Sequence, residues 1–574
     1  MNKKKSIAIA SLVLAGILSL SACGSSSSTS TSSGSGSTAT SNGTTEIKAT
    51  NASKSPAAAL ARKDTLVVGL GDMNGIWSDV FTDSSYDHYA DELMFNTLLI
   101  ATPDGQANGD AADYKVSSDG LTYTFTLKDG VKYWDGKPAT ASDIEFLCEV
   151  MADPNYDGQL DISTADIQGF DAYKNGSATS ISGIKVVDDK TIQFTLTTPN
   201  ASTLWTLGQL PLMEKAYYGA DYKKGNVKTV EDKLAQPMGS GQYKFVSYDP
   251  ATGLKLVAND NYFKGAPKIK NVELSVTAQG QELQRVQAGE VDLEADATCS
   301  EDNVASLKKS GFINAYYYPI NAFGMVQWNL QDPKYSDVRV RQALAYGLNR
   351  AAVVKQVYGQ YATVTNVPLP TGSWGYSTDG TTNYTFSIDK AKALLKEAGW
   401  AINSSTQKLE KDGKPFVIDF TAKSGNAVTD AMLPVMKEDY AKLGIDVNIE
   451  SSDFSTMLKG YNNGKLDACF MGQTLTTPDP DTSNLFMTGA SQNFYKFSDK
   501  DLDALYQQEQ RMTDTTKRKA IFAKINKLLN QQLPMMPIYQ RNMIVLYNTR
   551  VQNVAKMGTF RDPFLDLYQY TLKG

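Results

Sequence analysis

The sequence predicts a mixed α/β fold with inserted antiparallel hairpins, spread over two or three domains. Three observations lead to this prediction. A strand, a helix and a second strand follow one another between residues 416 and 449, a strictly alternating segment at 122–128 ends in a turn signal, and several amphipathic stretches carry helix caps. After Lys63 about 510 residues remain, which is more than one hydrophobic core usually organises.

The first predicted element of the body is a buried strand at 65–70. A glycine-containing loop follows it and ends at Trp77. The loop segment 71–75 has neither a GxGxxG nor a GK[ST] pattern, so no phosphate site is predicted there.

An antiparallel hairpin is predicted next. Apolar and polar residues alternate along 122–128, and Asp129 and Gly130 supply a turn signal. We therefore expect a return strand that carries Val131 and Tyr133.

Helices are predicted where caps precede apolar spacing. Thr140 with Asp143 resembles a capping box that opens a helix through Met151. The segments 337–359 and 389–399 are amphipathic and capped at both ends.

The segment 416–449 predicts a parallel strand pair. Apolar residues alternate on either side of a stretch with helical spacing, and a helical connection of this length joins parallel strands. The strand positions are Phe416, Ile418, Phe420, Ile445, Val447 and Ile449. The helical positions are Met432, Leu433, Met436, Tyr440 and Leu443.

The N-terminus has the features of a secretory signal. Three lysines at 3–5 precede a short apolar run, and the run ends in small residues before Cys23. Together with the following Gly24, this resembles a bacterial lipobox, so we expect a signal peptide at 1–22 and a lipidated Cys23. The alternative is an ordinary cleaved signal with an incidental cysteine. Residues 23–64 are rich in Ser, Thr and Gly and predict a flexible tether.

Composition and rare residues exclude several functions. The formal net charge is −6, so nucleic acid is not an expected partner. Cys148, Cys299 and Cys469 are far apart, and we expect small buried residues, with one disulfide as the alternative. The only histidine, His88, lies on the polar side of a predicted helix, where solvation is the expected role. No metal, cofactor or catalytic residue is predicted.

Five ordered segments resemble the extracellular solute-binding proteins of family 5, the oligopeptide and dipeptide binding proteins of ABC importers. The resemblance extends from Thr65 to Thr571. The segments are SDGLTYTFTLKDGVKYWDGKPATASD at 118–143, PMGSGQYKF at 237–245, ANDNYFKG at 258–265, DVRVRQALAYGLNR at 337–350 and TPDPD at 477–481.

The resemblance implies a two-lobed fold of the periplasmic-binding-protein type, the large three-domain class II form with a hinge between its lobes. We expect domain I at 65–100, 232–318 and 535–574, domain II at 101–231 and domain III at 319–534. The implied role is a monomeric, lipid-anchored protein on the outer face of the cytoplasmic membrane. It would capture an oligopeptide and deliver it to the permease subunits of an ABC importer, without chemistry of its own.

The same resemblance suggests a ligand-binding strand. In peptide-binding members, the strand before the aspartate and proline loop lies along the peptide and carries an Asp for its α-amino group. Here Thr476 stands at that Asp position, Phe470 where some members carry an Arg, and Gln473 where they carry a Trp. Another carboxylate then has to hold the ammonium, or the ligand is uncharged. The candidates for that carboxylate are Asp72, Asp479 and Asp481.

A neutral ligand such as an oligosaccharide is the alternative within the family. Tryptophans in apparent loops would supply stacking faces, although each is equally well explained by core or hinge packing. The expected ligand-binding residues are Asn74, Trp77, Trp328, Trp374, Gly472, Gln473, Thr474, Thr476 and Asp479.

The sequence leaves two other function classes as alternatives. A lipid-anchored hydrolase with Asp479 and Asp481 as acid and base is disfavoured, because the proline between them suits a turn and the chain has one histidine. A ligand-sensing partner of a receptor remains open.

Overall fold

The computed structural model describes residues 38–39, 43–82 and 84–573. The predicted signal segment and Cys23 lie outside the described residues. No helix within these ranges combines the length and the apolar character that a membrane span requires.

The strands are numbered in chain order. They are β1 (Thr38–Ala39), β2 (Thr45–Ile47), β3 (Thr65–Leu70), β4 (Leu99–Ala101), β5 (Ala107–Gly109), β6 (Ala112–Val116), β7 (Thr122–Leu127), β8 (Ile184–Val186), β9 (Thr191–Thr195), β10 (Tyr243–Asp249), β11 (Gly253–Ala258), β12 (Asn271–Val276), β13 (Leu293–Thr298), β14 (Ile313–Pro319), β15 (Ala322–Trp328), β16 (Ala362–Val364), β17 (Ala401–Ile402), β18 (Leu409–Lys411), β19 (Lys414–Pro415), β20 (Val417–Lys423), β21 (Asp446–Ser452), β22 (Ala468–Thr474), β23 (Met535–Asn548), β24 (Val551–Gln552) and β25 (Thr571–Leu572).

The α-helices are numbered in the same way. They are α1 (Ala57–Ala61), α2 (Ser85–Met94), α3 (Ala141–Met151), α4 (Phe170–Lys174), α5 (Thr203–Gly208), α6 (Lys215–Tyr218), α7 (Lys228–Glu231), α8 (Glu282–Ala288), α9 (Glu301–Ser310), α10 (Pro333–Ser336), α11 (Val338–Gly347), α12 (Arg350–Tyr358), α13 (Ile388–Glu397), α14 (Ala427–Ala441), α15 (Phe454–Asn462), α16 (Ser483–Phe486), α17 (Lys500–Gln510) and α18 (Thr515–Gln532).

One large mixed sheet organises most of the described chain. Its strand order is β10-β11-β12-β3-β13-β23-β15-β22-β20-β21, and β1, β2, β14 and β16 pair at its sides. The long strand β23 joins the two halves. Up to Arg541 it pairs with β15 and β16, and from Asn542 it pairs with β14.

A separate four-stranded sheet lies within residues 101–231, with the order β6-β7-β9-β8. Its inward face is apolar, and Phe125 of β7 packs edge to face against Phe194 of β9. The predicted hairpin after β7 is wrong. The partners of β7 are β6 and β9, which occupy both of its edges, so the residues after Gly130 form only an isolated bridge between Lys132 and Pro138.

Other local predictions are confirmed. The strand at 65–70 is β3, and its side chains are almost all buried. The capping box of Thr140 and Asp143 opens α3. β20 and β21 are parallel, with α14 between them. The three cysteines of the folded body are buried and free.

The single helix predicted at 337–359 is two helices. α11 ends at Gly347, Leu348 is extended, and the side chain of Asn349 accepts a hydrogen bond from the Ala352 N–H at the start of α12. Asparagine is a strong N-cap, so it starts a new helix where apolar spacing alone suggests continuity.

Candidate ligand-binding site

Strand β22 has two differently occupied edges. On one side it pairs with β15 along its whole length, from Ala468 to Thr474. On the other side it pairs with β20 only at Ala468 and Cys469. From Phe470 onward this second edge has no strand partner among the described residues, and we call it the open edge of β22.

The open edge presents backbone hydrogen-bonding groups. The N–H of Leu475 donates to the carbonyl of Asn321 beyond the end of β15, at 2.9 Å. Because partners alternate along an antiparallel ladder, Gly472 and Thr474 direct their N–H and C=O groups away from β15. These are the groups that an added extended chain would use.

The space beside this edge is open. A Cβ placed on Gly472 would meet no atom within 4 Å. Thr474 and Thr476 are exposed, and Gln473 is half-buried, with its Nε2 donating to the Thr474 carbonyl at 3.2 Å. Four of the predicted site residues therefore lie together on one accessible stretch.

Asp479 lies in the same loop but is already paired. Its two carboxylate oxygens accept hydrogen bonds from Nη1 and Nη2 of Arg518, at 2.7 and 2.8 Å. Arg518 also donates to Oε2 of Glu509, at 3.0 and 2.8 Å. All three side chains are buried, so Asp479 presents no free carboxylate to a ligand.

The three candidate tryptophans are placed differently from one another. Trp77 is fully buried and contacts Tyr248 edge to face. Trp328 is also fully buried and stacks on Tyr335. These two pack as core residues, which is the alternative that the sequence left open. Trp374 is half-buried, with the Arg518 guanidinium 5.2 Å from its ring centroid.

The loop that carries Asn74 is held by the side chain of Asp87, which was not among the predicted site residues. Oδ1 of Asp87 accepts from the Asn74 N–H at 2.8 Å, and Oδ2 accepts from the Ile76 N–H at 3.2 Å and from Thr82 Oγ1 at 3.1 Å. Burial raises the pKa of Asp87, although these bonds oppose the shift. An aspartate in the first turn of a helix was the available signal.

A second missed group lies where β23 passes from one half of the sheet to the other. Nη2 of Arg541 is 3.6 Å from Oδ1 of Asp296, and both side chains are partly exposed. Burial and the charge of Asp296 raise the pKa of Tyr86 to about 12, with Asp72 contributing. The phenol therefore keeps its proton at neutral pH. A charged residue inside the apolar strand 535–548 was the signal that pointed to Arg541.

Two hydrogen bonds join the segment 101–231 to the segment 319–534. Ser202 Oγ donates to Asp481 Oδ2 at 3.0 Å, and the Ala201 N–H donates to the Gln510 carbonyl at 2.7 Å. Asp481 also accepts hydrogen bonds from Gln510 Nε2 and from the Ser483 N–H.

Three carboxylates were candidates for binding the ammonium group of a peptide ligand. Of these, Asp72 is exposed, whereas Asp479 is buried and Asp481 is partly buried.

His88 has a more specific environment than a solvated helix position. Its Nδ1 lies 2.7 Å from Oδ1 of Asp79, and its side chain is 41% exposed. The predicted position on the partly exposed side of a helix agrees with the structure, and the contact with Asp79 is an interaction that the sequence did not predict.

Comparison with known proteins assigns the chain to a class of binding proteins. Residues 108–495 match the family described as bacterial extracellular solute-binding proteins, family 5 Middle. The match covers more than half of the chain, which therefore belongs to this family of solute-binding proteins.

Relatives of known name support the same placement. The chain is 28% identical to the dipeptide-binding protein of Escherichia coli over 536 residues, covering 90% of this chain and 95% of that protein. It is 27% identical to the heme-binding protein A of Haemophilus influenzae over 448 residues, covering 75% and 78%.

A solved structure shows the same fold. The oligopeptide-binding protein AppA of Bacillus subtilis, in complex with a nonapeptide, matches with a TM-score of 0.77 at 23% identity, over 89% of this chain and 99% of that one. The predicted fold class, the large two-lobed α/β fold of periplasmic binding proteins, is confirmed.

Proposed function

We propose that the protein captures oligopeptides outside the cytoplasm and delivers them to an ABC importer. The observation that carries this proposal is the open edge of β22. A peptide that adds to such an edge gains main-chain hydrogen bonds whatever its side chains are, which gives affinity without sequence specificity.

The burial of the candidate tryptophans and the exposure of nearby candidate charges are the basis for choosing a peptide over an oligosaccharide. Trp77 and Trp328 have no exposed face on which a sugar ring could stack, and the half-buried Trp374 already has the Arg518 guanidinium 5.2 Å from its ring centroid. Charged groups are present instead, since Arg541 and Asp296 are partly exposed and Asp72 is exposed. We assign the ligand's ammonium to Asp72 or Asp296, in place of the aspartate that the family carries at position 476.

Closure between the lobes belongs to the same proposal. The three-domain division stated above places Ser202 in domain II and Asp481 in domain III, so their hydrogen bond joins the two lobes. A ligand drives closure only by binding the closed state more tightly than the open one. The protein acts as a monomer in this proposal.

Attachment to the membrane completes the proposed function. Cys23 carries the lipid, which places the protein on the outer face of the cytoplasmic membrane. The tether predicted at 23–64 is too long, because Thr45–Ile47 form β2, which pairs with β14, and Ala57–Ala61 form α1. Replacing Cys23 by Ala should release the protein into the medium with unchanged ligand affinity, because the lipid is attached to a residue that precedes β2 and the rest of the folded body. A variant that stays membrane-bound to the same extent contradicts the anchor.

Titration calorimetry tests the ligand class. The purified chain is titrated with free-amino peptides, with the same peptides N-acetylated, and with cello-, xylo- and manno-oligosaccharides. We expect saturable binding of the peptides. Saturation by a sugar, with no binding of any peptide, would overturn the proposal.

Two substitutions locate the ligand on β22. Thr474→Pro removes an N–H at the open edge and should weaken peptide binding, whereas Thr474→Ala keeps the N–H and should not. Thr476→Asp should raise affinity for free-amino peptides by about tenfold for each 1.4 kcal/mol gained, with Thr476→Asn as the uncharged control. If neither site affects any ligand, the strand assignment is wrong.

A further inference from the structure

Three polar side chains converge beside α2. His88 and Asp91 are three residues apart on the helix, so they share a face. Asp79 comes from the turn at 78–82 that precedes the helix, in which the N–H groups of Phe81 and Thr82 donate to the Ser78 carbonyl, both at 2.9 Å. One ligand atom from each of the three side chains lies within 4.8 Å of the other two.

Asp91 supplies an independent observation. Its side chain is completely buried, and neither of its carboxylate oxygens has a hydrogen-bond partner within normal geometry. In the described part of the chain, no lysine or arginine nitrogen lies within 4.0 Å of Asp79 or Asp91. A buried carboxylate without a partner is costly, so Asp91 either keeps its proton or pairs with a positive group, and the described residues supply no lysine or arginine for that purpose.

The spacing and chemistry of these groups suit a metal ion. Zinc binds imidazole nitrogen and carboxylate oxygen at about 2.0–2.2 Å in tetrahedral geometry, so two of its ligand atoms are about 3.4 Å apart. The three donor atoms lie within 4.8 Å of one another, so an inward movement of the side chains brings them to that spacing. Imidazole favours zinc over magnesium and calcium, and the half-exposed His88 leaves a side open to solvent for a water ligand.

We propose that Asp79, His88 and Asp91 bind one Zn²⁺ ion. The site goes beyond the capture of a ligand at β22 and does not depend on it. The ion would join α2 to the turn at 78–82. The Val80 carbonyl in that turn accepts a hydrogen bond from the Gln159 N–H at 3.0 Å, so the ion would also stabilise the place where the segment 101–231 meets α2.

The test uses the full chain without a histidine tag, because His88 is its only imidazole. Metal is removed with EDTA, and Zn²⁺ is titrated in by calorimetry. We expect one saturable site, and Co²⁺ should give a visible absorption band with the same stoichiometry. His88→Gln and Asp91→Asn should each weaken zinc binding by about a hundredfold or more, whereas Asp104→Asn, at an exposed aspartate, should leave it unchanged.

Nuclear magnetic resonance of the unaltered protein keeps the test decisive if a variant fails to fold. With one histidine, the imidazole signals belong to His88 and should shift on addition of one equivalent of Zn²⁺. No shift of these signals at millimolar zinc would overturn the proposal. Zinc binding of equal affinity in the His88→Gln and Asp91→Asn variants would also overturn it, since the ion would then be held elsewhere.

Discussion

Two groups of acidic side chains in this protein differ in how the cost of burying a carboxylate is compensated. Asp479 and Glu509 share the guanidinium of Arg518, which donates to both carboxyl groups. Asp79 lies beside the imidazole of His88, and neither carboxylate oxygen of Asp91 has a hydrogen-bond partner of normal geometry among the described residues. The first group contains its own cation, although Oε1 of Glu509 is without a partner, whereas no lysine or arginine pairs with the second group within the described residues.

The difference shows why an aspartate in a loop is not by itself a ligand site. Asp479 is fully paired, so it contributes to the architecture of its loop. Burial and the charge of Asp481 raise the pKa of Glu509 to about 9, so at neutral pH Arg518 faces one carboxylate and one neutral acid. Burial, followed by the charges of Asp79 and Asp87, raises the pKa of Asp91, and no guanidinium opposes that shift.

Removing the guanidinium should have the largest effect on stability. Arg518→Met leaves Asp479 buried without a counter-charge, and breaking a buried pair in this way costs about 3–5 kcal/mol. Urea denaturation measures the loss. Lys517→Met, at the adjacent exposed position, should change stability by less than about 0.5 kcal/mol. Equal effects at 517 and 518 would mean that the pair is not structural.

A buried acid that stays protonated in the folded state should make the free energy of unfolding depend on pH. Burial raises the pKa of Glu294 to about 8, and its Oε1 accepts from Thr277 Oγ1 at 2.8 Å. Because the folded pKa exceeds that of the unfolded chain, the folded state retains the proton longer. Stability is therefore present below about pH 4.5 and falls as pH rises toward 8, by at most about 1.4 kcal/mol per pH unit.

Glu294→Gln removes this dependence, so the variant should gain stability relative to the unaltered protein between pH 5 and pH 8. Denaturation midpoints at the two pH values measure the gain. The same substitution at the exposed Glu290 is the control. A gain that does not change with pH would show that Glu294 ionises normally.

Two aspartates on α2 should respond in opposite directions to the same substitution. Asp87→Asn replaces an oxygen that accepts from Ile76 and Thr82 and should cost about 1–2 kcal/mol. Asp91→Asn removes an unpaired buried acid and should be neutral or stabilising by about 1 kcal/mol in EDTA. Thermal unfolding compares them, and equal losses would show that Asp91 is partnered.

Local patterns predicted the elements whose signals lie within a few residues. Strand β3, the capping box of α3 and the unit from β20 to β21 follow from periodicity and caps. The hairpin at 129–133 was wrong because distant strands occupy both edges of β7. Pairing between strands is a long-range property that a turn signal does not contain.

The site was predictable only in part for the same reason. The stretch 472–476 was identified by resemblance, and it is accessible. The role of Asp479 depends on Arg518, which is 39 residues away in the sequence. Burial of Trp77 and Trp328 depends on packing against other elements, and composition cannot distinguish a buried ring from an exposed one.

The position of β23 has a consequence for biosynthesis. This strand lies at the centre of the large sheet, between β13 and β15, yet it begins only at Met535. A chain emerging from the ribosome N-terminus first has made most of its other strands before their common neighbour exists. The sheet is therefore completed only after β23 has been synthesised. Until then β13 and β15 lack the strand that joins them, so the two halves of the sheet cannot be connected.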